Sequence, residues 1–204
     1  MRRWIAIAIA MALALLSAGC AETPGLTPLA PDDAVLAFGN SLTYGTGAGR
    51  DAAYPAVLAS MIDRRVVNAG VPGEETEGGV ARLPALLDEH RPALVIISHG
   101  GNDMLRRRDL AQTEANLRAM VALVQERGAE VVLVAVPEPR ITMSPPDFYA
   151  AVAADYGVVL EDSAWRYILR RNQLKSDPIH PNADGYRHFA SVMMGLLEEA
   201  GALD

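Results

Sequence analysis

The sequence predicts an α/β protein built on a parallel sheet. Short apolar segments rich in β-branched residues alternate with segments whose apolar residues recur at helical spacing. The apolar segments are nearly continuous, which is typical of strands covered by helices on both faces of a sheet. Hydrophobic residues make up 50% of the 204 residues and charged residues 21%, so the chain can bury the core of one domain.

The first 19 residues have the pattern of a signal peptide. Arg2 and Arg3 precede an uncharged, mostly apolar run of roughly 13 residues, which fits a signal h-region and is short for a membrane span. The run ends at Ser-Ala-Gly-Cys, and Cys20 is the one cysteine of the chain. This end resembles the lipobox of bacterial lipoproteins, in which the cysteine is lipidated and becomes the first mature residue. The alternative is ordinary cleavage nearby, which gives a soluble periplasmic or secreted protein.

We expect residues 20–32 to comprise the lipidated Cys20 and a tether, followed by a domain over residues 33–204. The tether assignment rests on three prolines and little periodicity. Removal of residues 1–19 leaves 16 basic against 25 acidic residues, a formal charge of −9. An acidic chain without a clustered basic stripe argues against nucleic acid as a partner. The expected partners are an ester substrate and a membrane reached through the anchor.

Five apolar segments are predicted as strands: residues 34–38, 65–68, 93–98, 130–136 and 157–160. Between them, three segments place apolar side chains on one face of a helix: residues 54–62, 80–87 and 109–127. A last helix is predicted to begin after Asn182, whose side chain suits an N-cap.

Polar or glycine-rich segments follow the first three predicted strands. Gly-Asn-Ser occupies residues 39–41, a segment ending in Pro-Gly occupies residues 68–73, and Gly-Gly-Asn-Asp occupies residues 100–103. The carboxyl ends of parallel strands meet at one edge of a sheet, where ligands bind in open α/β folds. We therefore expect these three segments to converge on one site.

These segments, together with a motif near the C-terminus, contain the groups that acyl transfer requires. The hydroxyl of Ser41 could attack a carbonyl carbon if the imidazole of His180 accepted its proton. Asp177 could accept a hydrogen bond from the other ring nitrogen. The backbone N–H groups of Ser41 and Gly73 and the side-chain amide of Asn102 could stabilise a developing oxyanion.

Each of these residues also has an ordinary structural explanation. Gly73 is typical of a turn, and Asp177 is typical of a cap. His90, His99 and His188 are rival bases. His90 is expected to be solvated, and a packed histidine is the preferred interpretation of His99, which follows the third strand.

Two charged segments lie close to the predicted site. Glu74, Glu75 and Glu77 are typical of a solvated helix start, where negative charge is favourable to the helix dipole. Three arginines at residues 106–108 follow the third-strand segment. They are either a solvated charge run or a site that attracts anionic substrates.

The order of these motifs resembles the four sequence blocks of the SGNH (GDSL) hydrolases. Gly-Asn-Ser-Leu starts at residue 39, Gly73 follows the second strand, Gly-Gly-Asn-Asp starts at residue 100, and Asp-x-x-His-Pro-Asn starts at Asp177. The resemblance covers residues 35–197. The stretches VVNAGVPGEETEGGVARLPALL and HGGNDMLRRRDLAQTEANL look most like the bacterial multifunctional thioesterase, lysophospholipase and arylesterase branch.

The resemblance implies a flavodoxin-like three-layer sandwich with a five-stranded parallel sheet of order 2-1-3-4-5. It implies a serine esterase that needs no cofactor or metal and hydrolyses short-chain acyl, aryl or lysophospholipid esters, with thioesters as a further class, through an acyl-enzyme. It implies a catalytic triad of Ser41, Asp177 and His180, and an oxyanion hole of Ser41, Gly73 and Asn102. The family usually has Asp directly before the nucleophile, where this chain has Asn40.

Two alternative functions stay open at this point. One is removal of acetyl groups from a cell-surface glycan, and the other is a non-catalytic binding module, since a fold does not fix function. The presence of all three triad residues favours an enzyme. Met104, Leu105 and residues 137–149 are the expected walls of the substrate groove.

Lipidation of Cys20 predicts that the wild-type protein fractionates with membranes, because an acylated N-terminus partitions into lipid. The Cys20→Ala variant should not reach the same mature form. Membrane fractionation with mass spectrometry of the N-terminus makes the measurement. A wholly soluble wild type whose N-terminus lies beyond Cys20 would contradict the lipoprotein assignment.

Overall fold

Five parallel strands form a single sheet in the computed structural model, which describes residues 24–203. They are β1 (Ala34–Gly39), β2 (Arg65–Gly70), β3 (Leu94–Ser98), β4 (Glu130–Val134) and β5 (Val159–Glu161). Their order across the sheet is β2-β1-β3-β4-β5. The predicted α/β class and the flavodoxin-like order are confirmed. The predicted signal peptide and Cys20 lie outside the described residues.

Helices cover both faces of the sheet. They are α1 (Ser41–Tyr44), α2 (Tyr54–Ile62), α3 (Thr76–His90), α4 (Gly101–Leu105), α5 (Leu110–Glu126), α6 (Phe148–Tyr156), α7 (Ala164–Leu169) and α8 (Ala183–Glu199). Helices α2, α7 and α8 pack together on one face, and α3, α5 and α6 pack together on the other. Within residues 24–203, none of these helices combines the length and apolarity that a membrane span needs.

The helices predicted from apolar spacing are present, and the unpredicted ones have identifiable causes. Asn182 caps α8 as predicted, since its side chain accepts a hydrogen bond from the Gly185 N–H at 3.0 Å. Helix α3 begins at Thr76, before the predicted start at residue 80, so Pro84 lies inside it. Helix α6 is rich in alanine and shows little apolar periodicity, and α7 is too short for a periodic pattern to be read.

The register of the sheet brings the ends of three strands level with one another. Gly39 at the end of β1 pairs with Gly70 at the end of β2 and with Ser98 at the end of β3. The interior of β1 and β3 is fully buried, so a slip in this register would move buried side chains to the other face. The segments that leave these strands therefore start side by side.

An aromatic cluster joins the helices of one face. The ring of Trp165 on α7 stacks on that of Phe189 on α8, with centroids 3.8 Å apart, and Phe189 meets Tyr54 of α2 at 4.7 Å. All three side chains are fully buried. Such contacts add to the stabilisation that burial alone gives. The cluster fixes α8 against the sheet, directly after the loop that contains His180.

Part of the segment expected to be a tether packs against the domain. The backbone N–H groups of Leu26 and Leu29 donate to the carbonyls of Ala200 and Ala202 at 2.7 and 2.9 Å. The N–H and hydroxyl of Thr27 donate to the carboxylate of Glu130, the first residue of β4. Leu29 is buried because the amino-terminal edge of the sheet offers it an apolar surface. This segment therefore lies at the sheet edge opposite to Ser41.

We predict that a chain beginning at residue 31 is less stable than one beginning at residue 24. Loss of the buried Leu29 side chain alone should lower the free energy of unfolding by about 1.5–3 kcal/mol, and each 1 kcal/mol corresponds to roughly 2–4 °C in Tm for a chain of this size. Thermal unfolding of both chains makes the comparison. Their kcat values should agree, since the segment is far from Ser41. Equal Tm values would show that residues 26–29 are a tether after all.

Candidate active site

The turn after β1 presents Ser41 at the sheet edge. Asn40 caps the short helix α1, because its side-chain oxygen accepts the Leu42 N–H at 3.1 Å. A side chain at Gly39 would collide with Thr43 and would lie 2.5 Å from the Ser98 carbonyl oxygen. Glycine is therefore required for the strand to turn this sharply into the helix. Ser41 follows at the first position of α1, with Asn40 buried beneath it.

The loop before α8 brings His180 to Ser41. The Nε2 atom of His180 lies 3.0 Å from Ser41 Oγ, and its Nδ1 atom lies 2.7 Å from Asp177 Oδ2. The other carboxylate oxygen of Asp177 accepts the backbone N–H groups of Ile179 and His180 at 2.9 and 2.8 Å. The loop thus fixes the carboxylate, and the carboxylate fixes the ring.

The partners of the Asp177 carboxylate determine which ring nitrogen has the proton. Burial raises the pKa of Asp177, but hydrogen bonds from His180 and from two backbone N–H groups outweigh it and hold the pKa below its usual value. An ionised carboxylate only accepts hydrogen bonds, so Nδ1 of His180 is the donor. In the neutral ring, Nε2 is then free to accept the Ser41 proton.

The glycine-rich segment 45–49 packs against the loop that contains His180. A side chain at Gly47 would collide with Ser176 and would lie 2.5 Å from the Pro181 carbonyl oxygen, so the two backbones are in close contact. The hydroxyl of Tyr186 on α8 donates to the Thr46 carbonyl at 2.8 Å. These contacts join the segment after α1 to both sides of the loop and limit its freedom to move.

Gly73 lies in a turn directly after β2. Its φ of 79° is in the left-handed region that favours glycine, and the Glu74 N–H closes the turn on the Val71 carbonyl at 3.2 Å. Pro72 followed by a positive-φ glycine is typical of a type II turn. A side chain at Gly73 would meet only Arg106, at 3.5 Å, so the turn conformation rather than lack of space requires the glycine.

Asn102 is the second residue of the short helix α4, after β3, and its side chain reaches this turn. Its amide nitrogen donates to the Glu74 carbonyl at 2.9 Å, which leaves one amide hydrogen free. The buried carboxylate of Asp103 accepts the Thr76 N–H and hydroxyl, the latter at 2.6 Å. The segments after β2 and β3 are therefore bonded to each other at two successive positions.

A small, mainly apolar cavity, partly open to solvent, adjoins Ser41 and His180. Its apolar lining comes from α1, α4, α7 and two loops: Leu42, Leu105, Val136, Pro137, Pro139, Met143, Leu169, Pro178 and Ile179. The prediction that Leu105 and the loop after β4 form walls is therefore supported. Met104 is instead buried in the core beside this cavity.

The rival histidines have other partners. His99 is fully buried and its Nε2 atom lies 3.1 Å from a Glu74 carboxylate oxygen. The ring of His188 stacks on Tyr167 with centroids 4.6 Å apart. His90 is at the end of α3 near Glu89. His180 is thus the described histidine that bonds to Ser41.

Two of the three clustered arginines have structural partners. Arg106 and Arg108 both pair with Glu75, at 2.9 and 3.0 Å, and Arg106 also donates to the Gly73 carbonyl at 2.8 Å. Glu75 is therefore not a solvated helix start as expected, and these two arginines hold the turn after β2. Arg107, at a φ of 55°, is exposed.

No cluster of three or more side chains suited to hold a metal ion occurs between residues 24 and 203. The site as described consists of a hydroxyl, an imidazole, a carboxylate and neighbouring N–H donors.

The sequence model of the GDSL-like lipase/acylhydrolase family matches residues 37–188. This span includes Ser41, Gly73, Asn102, Asp177 and His180. The chain belongs to this family. As a GDSL (SGNH) hydrolase it is a serine esterase, in agreement with the resemblance of its sequence blocks.

Individual family members are similar over most of their length. The chain is 38% identical over 179 residues to the esterase TesA of Pseudomonas aeruginosa, covering 82% of this chain and 89% of the relative. It is 33% identical over 174 residues to the thioesterase 1/protease 1/lysophospholipase L1 of Escherichia coli, covering 81% and 84%. An arylesterase of Vibrio mimicus is 30% identical over 161 residues, covering 74% and 80%.

Solved structures of this hydrolase family superpose on the fold. A crystal structure of TesA matches with a TM-score of 0.75 at 30% identity, covering 82% of this chain and 99% of the other. The SGNH-hydrolase family esterase AlinE4 matches with a TM-score of 0.66 at 28% identity, covering 85% and 98%.

The sequence did not identify several residues of the cavity wall. Val136, Leu169 and Pro178 come from three separate elements, and no motif connects them. Ile179 could have been identified from the sequence, because a large aliphatic side chain between Asp177 and His180 has no evident role within the loop itself. In the structure it is 39% exposed and lines the cavity mouth.

We predict that the hydrolase tolerates Asn40→Asp better than Asn40→Leu. Aspartate keeps an oxygen that can accept the Leu42 N–H. The kcat on a short-chain ester should stay within roughly tenfold of wild type, because an added charge near the site shifts the pKa of a neighbouring group by about one unit. Leucine removes the cap, which should lower stability by about 1 kcal/mol. Measurement of kcat and Tm for both variants is the test. Greater damage from aspartate would give the uncharged amide a part in catalysis.

Proposed function

We propose that this hydrolase cleaves carboxylic esters through an acyl-enzyme on Ser41. The observation that supports the proposal most directly is the chain of two hydrogen bonds from Ser41 Oγ through His180 to Asp177, at 3.0 and 2.7 Å. This arrangement opens onto an apolar cavity at the switch point of the sheet, where open α/β folds bind ligands.

In the first half of the reaction, Ser41 Oγ attacks the carbonyl carbon of the ester and its proton moves to His180 Nε2. The imidazolium that forms is stabilised by Asp177, which keeps its negative charge throughout. The carbonyl π bond becomes a lone pair on the oxygen. As the tetrahedral intermediate collapses, the alcohol leaves with the proton from His180. In the second half, His180 accepts a proton from water as the water oxygen attacks the acyl carbon. The second tetrahedral intermediate then expels Ser41 Oγ, which takes the proton from His180, and the acid is released.

The negative oxygen of the intermediate needs donors that are already in place. We propose the backbone N–H groups of Ser41 and Gly73 and the free amide hydrogen of Asn102 for this role. The turn at Gly73 and the bond from Asn102 to the Glu74 carbonyl support this assignment, since both donors belong to one bonded unit.

The lining of the cavity favours an acyl or aryl group larger than acetyl. Its walls are mainly aliphatic and proline side chains, which stabilise an alkyl chain by about 0.8 kcal/mol for each buried methylene. Relatives named thioesterase, lysophospholipase and arylesterase support thioesters, lysophospholipids and aryl esters as candidate substrates. An apolar cavity offers few hydrogen-bond partners for a sugar ring, so it gives no support to a glycan substrate.

We also propose that the enzyme is exported and anchored through a lipidated Cys20. The support is the sequence pattern of residues 1–20. Residues 26–29 leave the domain at the amino-terminal edge of the sheet, opposite to Ser41.

The test of the proposed function is the Ser41→Ala variant with a series of p-nitrophenyl esters from acetate to decanoate. Loss of the nucleophile should lower kcat by about 10⁴-fold or more while the protein stays folded. Ser191→Ala, an exposed serine on α8, is the matched control and should behave as wild type. The wild type should prefer chains longer than acetyl. A Ser41→Ala variant with more than a trace of turnover would exclude the acyl-enzyme on Ser41.

A further inference from the structure

Glu74 is at the centre of the contacts that hold the turn after β2. Its backbone N–H closes the turn on the Val71 carbonyl, and its carbonyl accepts the Asn102 amide at 2.9 Å. The sequence predicted Glu74 to be part of a solvated helix start. Instead its side chain is only 10% exposed and points into the protein, beneath the proposed oxyanion hole.

The carboxylate of Glu74 is bonded on both oxygens. Arg82 donates from Nε and Nη2 to the two oxygens at 2.7 Å each, and His99 Nε2 lies 3.1 Å from Oε2. Burial raises the pKa of Glu74, but the hydrogen bonds from His99 and Arg82 outweigh it and hold the pKa below its usual value. The carboxylate is therefore ionised at neutral pH, and bidentate pairs of this kind are among the strongest side-chain hydrogen bonds.

Arg82 connects Glu74 to the ends of two strands. Its Nη2 atom donates to the Ala69 carbonyl at 2.7 Å and to the Gly39 carbonyl at 3.2 Å. Its guanidinium lies over the Phe38 ring, 4.2 Å from the centroid. Gly39 is two residues before Ser41, so one rigid planar group contacts both the strand that delivers the nucleophile and the carboxylate beneath the oxyanion turn.

His99 completes the cluster from the end of β3. Because the ionised carboxylate only accepts, the hydrogen on His99 must be on Nε2. Helix α3 makes room for the ring with Gly79, since a side chain there would lie 3.0 Å from His99 Nε2 and 2.8 Å from Met120. Arg82 and His99 thus connect three strand ends to one carboxylate.

We propose that Glu74 is a positioning residue of the oxyanion hole, which through Arg82 fixes the Gly73 N–H and the Asn102 amide relative to Ser41. The proposal rests on the proposed acyl-enzyme function. The positioning role extends that function, because it gives a catalytic consequence to a side chain that does not line the cavity.

The physical reason is that oxyanion donors stabilise the transition state only if they are already aimed at it. A misplacement of about 1 Å can cost on the order of 10² in rate. The Gly73 N–H belongs to the residue before Glu74, inside the turn that the Glu74 N–H closes, and the Asn102 amide donates to the Glu74 carbonyl. Movement of Glu74 would therefore displace both donors together.

The test compares Glu74→Ala and Glu74→Gln with wild type on one short-chain ester. Glu74→Ala should lower kcat by about 10² with little change in KM, since the lost interaction is made in the transition state. Glu74→Gln loses the charge and sets an N–H₂ group against one donor, but it keeps the shape and one acceptor oxygen, so its loss should be smaller than that of Glu74→Ala. Each kcat is taken per active site, counted by labelling Ser41 to completion with an activated phosphonate, which removes unfolded protein from the comparison.

A double-mutant cycle with Asn102→Ala separates positioning from general destabilisation. Asn102→Ala alone should lower kcat by about 10²–10³. In the Asn102→Ala background, the factor by which Glu74→Ala lowers kcat should be at least about threefold smaller than in wild type, because part of the effect of Glu74 passes through Asn102. Glu77→Gln removes a negative charge from the first turn of the same helix at an exposed position, and should leave kcat unchanged.

Three results would overturn the proposal: kcat of both Glu74 variants within twofold of wild type, a loss confined to KM, or equal factors in the two backgrounds. Failure of the proposed function has a different signature, which is an active Ser41→Ala variant. An inactive Ser41→Ala variant together with unaffected Glu74 variants would reject the positioning role alone.

Discussion

The parallel register of β1 with its two neighbours is the constraint on which the rest of the site depends. It sets Gly70 and Ser98 level with Gly39 on either side, so the segments after β2 and β3 begin next to the one that contains Ser41. The interiors of β1 and β3 are buried on both faces, so a shift by one residue would exchange the side chains that pack against the two helix layers and disrupt both. Hydrophobic burial therefore determines where the polar groups meet.

The site is divided between a rigid side and a more loosely supported one. The turn at Gly73 is bonded to α4, to Arg106 and through Glu74 to two strand ends, which leaves it little freedom. The Asp177–His180 loop is instead closed on itself and rests on the segment around Gly47. The proposed oxyanion donors are thus bonded to the strand ends, whereas the imidazole is delivered by a surface loop whose position depends on α8.

Charge is used inside the protein as well as at its surface. The chain is acidic overall, yet arginines cluster beside the site. Arg82, Arg106 and Arg108 each pair with a glutamate of the segment after β2, and two of them also donate to backbone carbonyls. Arginine suits this use because its fixed fork of donors can satisfy a carboxylate and a carbonyl together. These residues stabilise a turn whose apolar side chains, Val71 and Pro72, are exposed and do not anchor it.

The sequence by itself determined the fold class and, through its family blocks, the strand order, and it predicted the three side chains, Ser41, Asp177 and His180, that the structure brings together, because strand periodicity and short motifs are local signals. It also identified Asn182 as a cap. It did not reveal the cavity wall formed by Val136 and Leu169, or the cluster on Glu74. Glu74 was expected in solvent because a glutamate at a helix start is ordinarily exposed. Only the tertiary structure decided its burial, because its partners come from other elements: Arg82 lies within α3 and His99 directly follows β3. No local sequence pattern shows which partners the fold brings together.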